Sequence, residues 1–318
     1  MSLAKAQLEV DQNVKSRDVK LKGFWQKAKV REAISGYLFM APTILVLGTF
    51  LIAPIIYAIF LSFHKVEILG GLSYRFVELK NFLRTFDDER VWIALKNTIE
   101  YVIIVVPCQT ILALVLALVL NKEIKGKKWF RIIFFLPTVT SSAVLTLIFI
   151  WIYNSNGLLN GLLDFFGLPT YNWLGDPSVA LKSIMIMNIW STAPFFMVIY
   201  LAALQDIPRS VYEAAKLDGA NEFDQFINIT VPLLKPVTFF VMVMGVIGTF
   251  QLFDQSYIFS GGTGGPNNST LTVVLLIYQY AFRSLDMGYA AALALMLAGV
   301  ILVTTLIQRG FFREEKAN

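Results

Sequence analysis

Long uncharged apolar runs alternate with shorter polar segments along the chain. Six runs are long enough to cross a bilayer: 34–63, 101–120, 132–153, 183–205, 236–260 and 287–308. A crossing takes roughly 20 mostly apolar residues, because a helix rises about 1.5 Å per residue through about 30 Å of hydrocarbon. Helices are the structure to expect, since lipid cannot satisfy backbone N–H and C=O groups. The runs are too long and continuous for barrel strands. Prolines 42, 54, 107, 137 and 194 fall inside them and should kink the helices rather than break them. A seventh apolar run, 271–282, is too short to span and reads as an interfacial or re-entrant helix at the outer face. The pattern therefore predicts an all-α membrane protein with six transmembrane helices.

Composition agrees. Of 318 residues, 56% are hydrophobic and 15% charged, where a soluble domain carries about a quarter charged. The first 33 residues are polar and basic and lack the apolar core of a signal peptide, so the run from Ile34 reads as an uncleaved span. Placing both termini in the cytoplasm puts 19 of the 27 Lys and Arg residues inside and 8 outside, as the positive-inside bias requires. The net charge of +5 follows from this topology and from anionic headgroups, and no nucleic-acid motif accompanies it. Cys108 and His64 are single residues of their type, so neither a disulfide nor a His/Cys metal site has candidates. No acid/base or nucleophilic set points to catalysis. The chain also lacks the G-x-x-x-x-G-K-[ST] nucleotide loop, and the glycine run 261–265 reads as an outer turn.

The segment between the fourth and fifth spans, 206–235, is too patterned for a plain connector. Ser210 and Glu213 fit a capping box, Ala214 and Ala215 favour helix, and Gly219 suits a helix stop. A second helix is expected to start at Asn221 and to be stopped by Pro232. The small residues Ala214, Ala215 and Gly219 would let another protein approach closely. A helical hairpin lying on the membrane surface fits equally well.

Two spans carry polar residues on one face. Asn188, Ser191, Thr192 and Phe195 lie at i, i+3, i+4 and i+7, and Ile247, Gln251 and Asp254 at i, i+4 and i+7. Asp254 is the sole charge within the six runs. Intramembrane polar groups face a cavity or one another. Sugars suit such a lining, because hydroxyls pair with carboxylates and amides while rings pack on C–H faces. The alternative for each polar residue is helix–helix bonding.

These residues also carry a resemblance. Glu213-Ala214-Ala215, three residues, Gly219, nine residues, then Ile229-Thr230-Val231-Pro232 resembles the EAA loop of ABC importer permeases, with Val231 in place of Leu. Asn97-Thr98, Phe134-Phe135-Leu136-Pro137, Gly264-Gly265-Pro266, Ala281-Phe282 and Met287 to Ala292 resemble the first permease of maltose-type, carbohydrate-uptake systems. The likeness covers roughly 34–312, between a basic tail (1–33) and a short C-terminal tail (313–318).

The resemblance implies a type I ABC importer permease fold in the plasma membrane of a bacterium. It implies that Glu213, Ala214, Ala215, Gly219, Ile229 and Pro232 form a coupling loop seated on an ATPase subunit, with Glu213 facing a basic residue there. It implies a second permease subunit, two ATPase subunits that bind the ATP and Mg, and an extracytoplasmic solute-binding protein. This chain would bind no cofactor. Sugar contacts would fall on Asn188, Ser191, Thr192, Phe195, Ile247, Gln251 and Asp254, although the family favours Asn where this chain has Gln251 and Asp254. Glycerol phosphates or compatible solutes are alternative cargo for the same architecture. An ion-coupled carrier is the more distant alternative, and no inverted repeat supports it.

Overall fold

A computed structural model describes residues 29–67, 71–122 and 125–313. The expected tails 1–33 and 313–318 lie almost wholly outside the described residues. The chain divides into two units, Met1–Ala58 and Ile59–Asn318. What is described of the first belongs to helix α1 (Lys29–Ser62), which runs on into the second. α1 widens into a π-helical turn at Gly48–Ile52. Pro54 lies two residues past its end, and its ring and missing N–H disfavour regular α-helix at this point.

The second unit continues with a hairpin of β1 (His64–Glu67) and β2 (Ser73–Phe76), paired antiparallel with His64 opposite Phe76. Then come α2 (Lys80–Asp87), α3 (Glu89–Asn121), α4 (Lys127–Val139), α5 (Ser142–Ile152), α6 (Leu158–Phe165) and α7 (Ala180–Asp206). After them follow α8 (Arg209–Leu217), α9 (Glu222–Gln225), α10 (Val231–Phe250), α11 (Asp254–Phe259), α12 (Val273–Tyr278) and α13 (Met287–Arg313). Among the described residues, five helical stretches are long and apolar enough to cross a membrane, and a sixth span is formed if α4 and α5 count as one. The hairpin is the exception to the all-α expectation. The helix expected at 101–120 starts at Glu89, where the side chain of Asp88 accepts from the Arg90 N–H.

Two expected spans are interrupted. α4 and α5 meet at a bend of 100°. Pro137 lies in the last turn of α4, and Thr140 is extended. The run Thr138 to Ser142 is rich in hydroxyls that compete with helix bonding, and the Thr140 hydroxyl donates to the Leu136 carbonyl at 3.0 Å. The fifth span ends at Phe250 and resumes as α11, with Gln251–Phe253 unwound between them. Irregular backbone at such a depth must be satisfied by protein. The Leu252 carbonyl accepts from the Thr272 hydroxyl at 2.9 Å.

α3 packs along α7 more extensively than any other pair of elements, and α10 packs on α3, α7 and α13. Ala113, Ala117 and Ala193 are fully buried at the core of this bundle, and small residues let helix backbones approach closely. The 271–282 run forms a short helix, as expected, but one whose first half is buried. Leu271, Val273, Leu275 and Leu276 belong to the same apolar cluster as Val102, Phe250, Tyr289 and Leu293. Thr98 ties it to α3: the Val273 N–H donates to the Thr98 hydroxyl at 3.1 Å. Thr98→Val keeps the shape but orphans this buried N–H, and should destabilise the protein by about 1–3 kcal/mol, seen as a lowered melting temperature.

Candidate functional site

The 206–235 segment builds two helices, with corrections to the expected caps. α8 starts at Arg209 after Pro208, without a side-chain cap, so Ser210 and Glu213 lie within the helix and form no capping box. The capping box belongs instead to Asn221 and Asp224, at the start of α9. Gly219 closes α8 with a positive φ of 86°. The Gly219 N–H donates to Lys216 O at 3.1 Å and the Ala220 N–H to Ala215 O at 2.9 Å, the paired bonds of a glycine-terminated helix. Pro232 does not stop the second helix. A π-helical turn, Phe226–Thr230, joins α9 to α10, and Pro232 sits in the first turn of α10, where its missing N–H does least harm.

α8 buries none of its residues. Glu213 and Ala214 are exposed, Ala215 and Ile229 half-buried, and Gly219 and Pro232 exposed. Phe223 and Leu217, both large and apolar, are also exposed, Leu217 at 91%. Such a surface is suited to a partner rather than to water. Lys122, just past the end of α3, lies 3.4 Å from Glu222. The end of α3 and the 206–235 segment therefore share one end of the bundle.

A cavity of about 430 Å³ lies between α3, the α4–α5 bend, α7, α10 and α11. Six of the seven expected solute contacts line it: Asn188, Ser191, Thr192 and Phe195 from α7, with Gln251 and Asp254 from the interrupted fifth span. Ile247 does not line it and is half-buried elsewhere on α10. The single helical face expected for Ile247, Gln251 and Asp254 is not formed, because the helix unwinds at Gln251–Phe253. The break still delivers Gln251 and Asp254 to the cavity, with no Lys, Arg or His in the lining.

Other lining residues were not legible in sequence. The Thr192 hydroxyl lies 2.7 Å from both Gln109 Oε1 and the Asn188 carbonyl. Gln255 Nε2 donates to the Ser142 hydroxyl at 3.0 Å, joining α11 to the start of α5 across the two helix breaks. Tyr101 and Thr138 line the cavity as well. Their neighbours in the lining come from distant parts of the sequence. A Cβ on Gly245 would lie 2.6 Å from Gln109 Nε2, so glycine there lets α10 approach this side chain.

At the opposite end of the bundle, Asp88 collects Tyr280 at 2.5 Å and Tyr289 at 3.0 Å, while Arg84 pairs with Asp286 at 2.6 Å. Arg90 bonds Gln279, whose amide donates to Gly262 O at 2.9 Å. Burial works against the Asp88 charge, but bonds from the two tyrosines and the Arg90 N–H hold its carboxyl below the ordinary 3.8. A depressed folded value contributes stability above the unfolded value, lost as pH falls through the folded one. Melting temperature should therefore drop as pH falls below 3.8, and Asp88→Asn, which cannot titrate, should flatten that acid limb.

A sequence profile described as "binding-protein-dependent transport system inner membrane component" matches residues 109–315. The lactose transport system permease protein LacF of Rhizobium radiobacter is 37% identical over 287 residues, covering 89% of this chain and 95% of that protein. The trehalose/maltose transport system permease protein MalF of Thermococcus litoralis is 34% identical over 292 residues, covering 91% and 98%. A chain of the crystal structure of a bacterial alginate ABC transporter, solved with an alginate pentasaccharide-bound periplasmic protein, shares the fold. Its TM-score is 0.78 at 22% identity, over 91% of this chain and 98% of that one. With five or six apolar spans, an interrupted fifth helix around a polar cavity and this profile across its last two-thirds, the chain belongs to the family of binding-protein-dependent transport system inner membrane components.

Proposed function

We propose that this chain is a permease subunit of a bacterial ABC importer that carries a sugar or sugar-like solute inward. The observation that carries the reading is the cavity. It lies between bundle helices, is lined by Asn188, Ser191, Thr192, Gln251 and Asp254, and has an aromatic ring, Phe195, beside them. Amides, hydroxyls and a carboxylate match polyhydroxylated solutes, and the ring suits their C–H faces. A carboxylate with no cation in the lining disfavours anionic cargo such as glycerol phosphates. The sugar relatives support the same class.

In this reading α8 is the coupling helix. It sits in a cleft of a separate ATPase subunit with Glu213 toward a basic residue, while Ala214, Ala215 and Gly219 permit close contact. Ile229 and Pro232 pass the displacement into α10, which lines the cavity. Both termini and the 206–235 segment are cytoplasmic. A second permease completes the pathway, two ATPase subunits bind ATP and Mg, and a binding protein outside the plasma membrane delivers the solute. ATP-driven closure of the ATPase pair draws the coupling helices together and turns the cavity outward.

Reconstitution tests this directly. Proteoliposomes holding the complete complex should accumulate labelled lactose, maltose or trehalose only with ATP and binding protein. Uptake that persists without the ATPase subunits would sink the reading in favour of an ion-coupled carrier.

A further inference from the structure

Among the described residues, two cavity-lining hydroxyls have no hydrogen-bond partner. Tyr101 is fully buried and lines the cavity, yet its hydroxyl makes no hydrogen bond. Thr138, in the last turn of α4, lines the same cavity, and its hydroxyl is also buried and unpaired. Buried polar groups in folded proteins are nearly always bonded, and each exception needs a reason. Packing supplies none for Tyr101. It sits among Val105, Leu181, Ile184, Met185 and Leu252, where phenylalanine would fill the same space without an orphaned O–H. Other polar groups of the lining are paired: Thr192 with Gln109, and Gln255 with Ser142.

We propose that the Tyr101 hydroxyl, aided by Thr138, is a specificity-determining contact for a neutral polyhydroxylated solute. This inference rests on the cavity being the solute site and deepens that reading. A phenol hydroxyl both donates and accepts, so it can answer either role of a sugar hydroxyl. Leu252, which packs in the same cluster as Tyr101, lies in the unwound turn Gln251–Phe253. A shift of that turn, which would give up the bond from Thr272 to the Leu252 carbonyl but break no helix, would uncover the hydroxyl to the solute. The two unpaired hydroxyls stand on α3 and on the broken third span, so they add two walls to the contacts supplied by α7 and the fifth span.

The test uses the complete complex in proteoliposomes, with saturating binding protein so that uptake reports the permease. The probes are lactose, maltose and trehalose, then monodeoxy analogues of whichever is taken up and is held equally by the binding protein. The unaltered complex should move the parent sugar about five- to tenfold faster than one particular analogue, the yield of one neutral hydrogen bond. In Tyr101→Phe that ratio should fall to about one, with the melting temperature unchanged or raised because an unpaired hydroxyl has gone. Thr138→Val should act in the same direction on a different analogue. Discrimination that survives Tyr101→Phe for every analogue would overturn the inference while leaving the sugar reading intact. A lowered melting temperature would do so too, since it would mark the hydroxyl as structural. If the unaltered complex takes up none of the three sugars, the sugar reading falls and this inference with it.

Discussion

Asp254→Ala should slow uptake by about a hundredfold while the permease still assembles. Asp254 opens α11 directly after the unwound turn, and it is exposed to the cavity. Among the described residues no basic side chain pairs with it. A charge at membrane depth is costly and persists where a ligand or a wet cavity repays it. Hydrogen bonds to a charged group are worth about 1.5–3 kcal/mol each. Losing such bonds in the solute-bound state should slow uptake by about a hundredfold. Asp254→Asn keeps shape and polarity and adds donors, so it should shift preference among sugars rather than stop transport. Co-purification with the ATPase subunits reports assembly, and labelled-sugar uptake reports function. Undiminished transport with the same solute range in Asp254→Ala would remove the residue from the site.

The second large effect is expected at Gly219, and its origin is conformational rather than steric. A Cβ there would meet nothing within 4 Å, yet φ is +86°. A left-handed residue costs an L-amino acid about 1–2 kcal/mol, more if β-branched. Gly219→Val should loosen the bonds to Lys216 and Ala215 that end α8 and so let the helix swing relative to α9. Because α8 buries none of its residues, its angle is set by that turn and by the 2.9 Å hydroxyl bond between Tyr212 and Thr230, with little help from packing. Uptake should fall by more than about tenfold, while ATP hydrolysis continues without transport. The series should rank Gly above Asn, then Ala, then Val, since Asn tolerates the left-handed region. Normal coupled transport by Gly219→Val, in a complex that still holds its ATPase, would show that α8 does not transmit force.

Sequence placed the apolar helices well and their interruptions poorly. The hydropathy of 132–153 gives no warning of a 100° bend, because Thr, Ser and Pro are tolerated in spanning helices when neighbours satisfy the backbone. That compensation comes from elsewhere in the chain, as when Thr272 supplies the donor for Leu252. Helical periodicity put Ile247, Gln251 and Asp254 on one face. The unwound turn undid the periodicity yet carried Gln251 and Asp254 to the cavity while leaving Ile247 out. In the 206–235 segment, Gly219 and Asn221 were legible because their roles are local backbone chemistry. The cap assigned to Ser210 failed because Pro208 set the helix start two residues earlier than the hydroxyl pattern suggested.

What sequence alone determined is whatever depends on a residue and its near neighbours along the chain: the number of apolar helices, the helical character of 206–235, the stop at Gly219 and the polar stripe of α7. The tertiary structure decided where helices break, that Leu271 to Leu276 pack into the core, that Asp88 gathers Tyr280 and Tyr289 from far along the sequence, and that Tyr101, Gln109, Thr138 and Gln255 join the cavity. The physical reason is the same in each case. Hydropathy and helix capping are sums over local terms, whereas a backbone break or a buried hydroxyl is stable or costly only according to the partner that a distant segment brings to it.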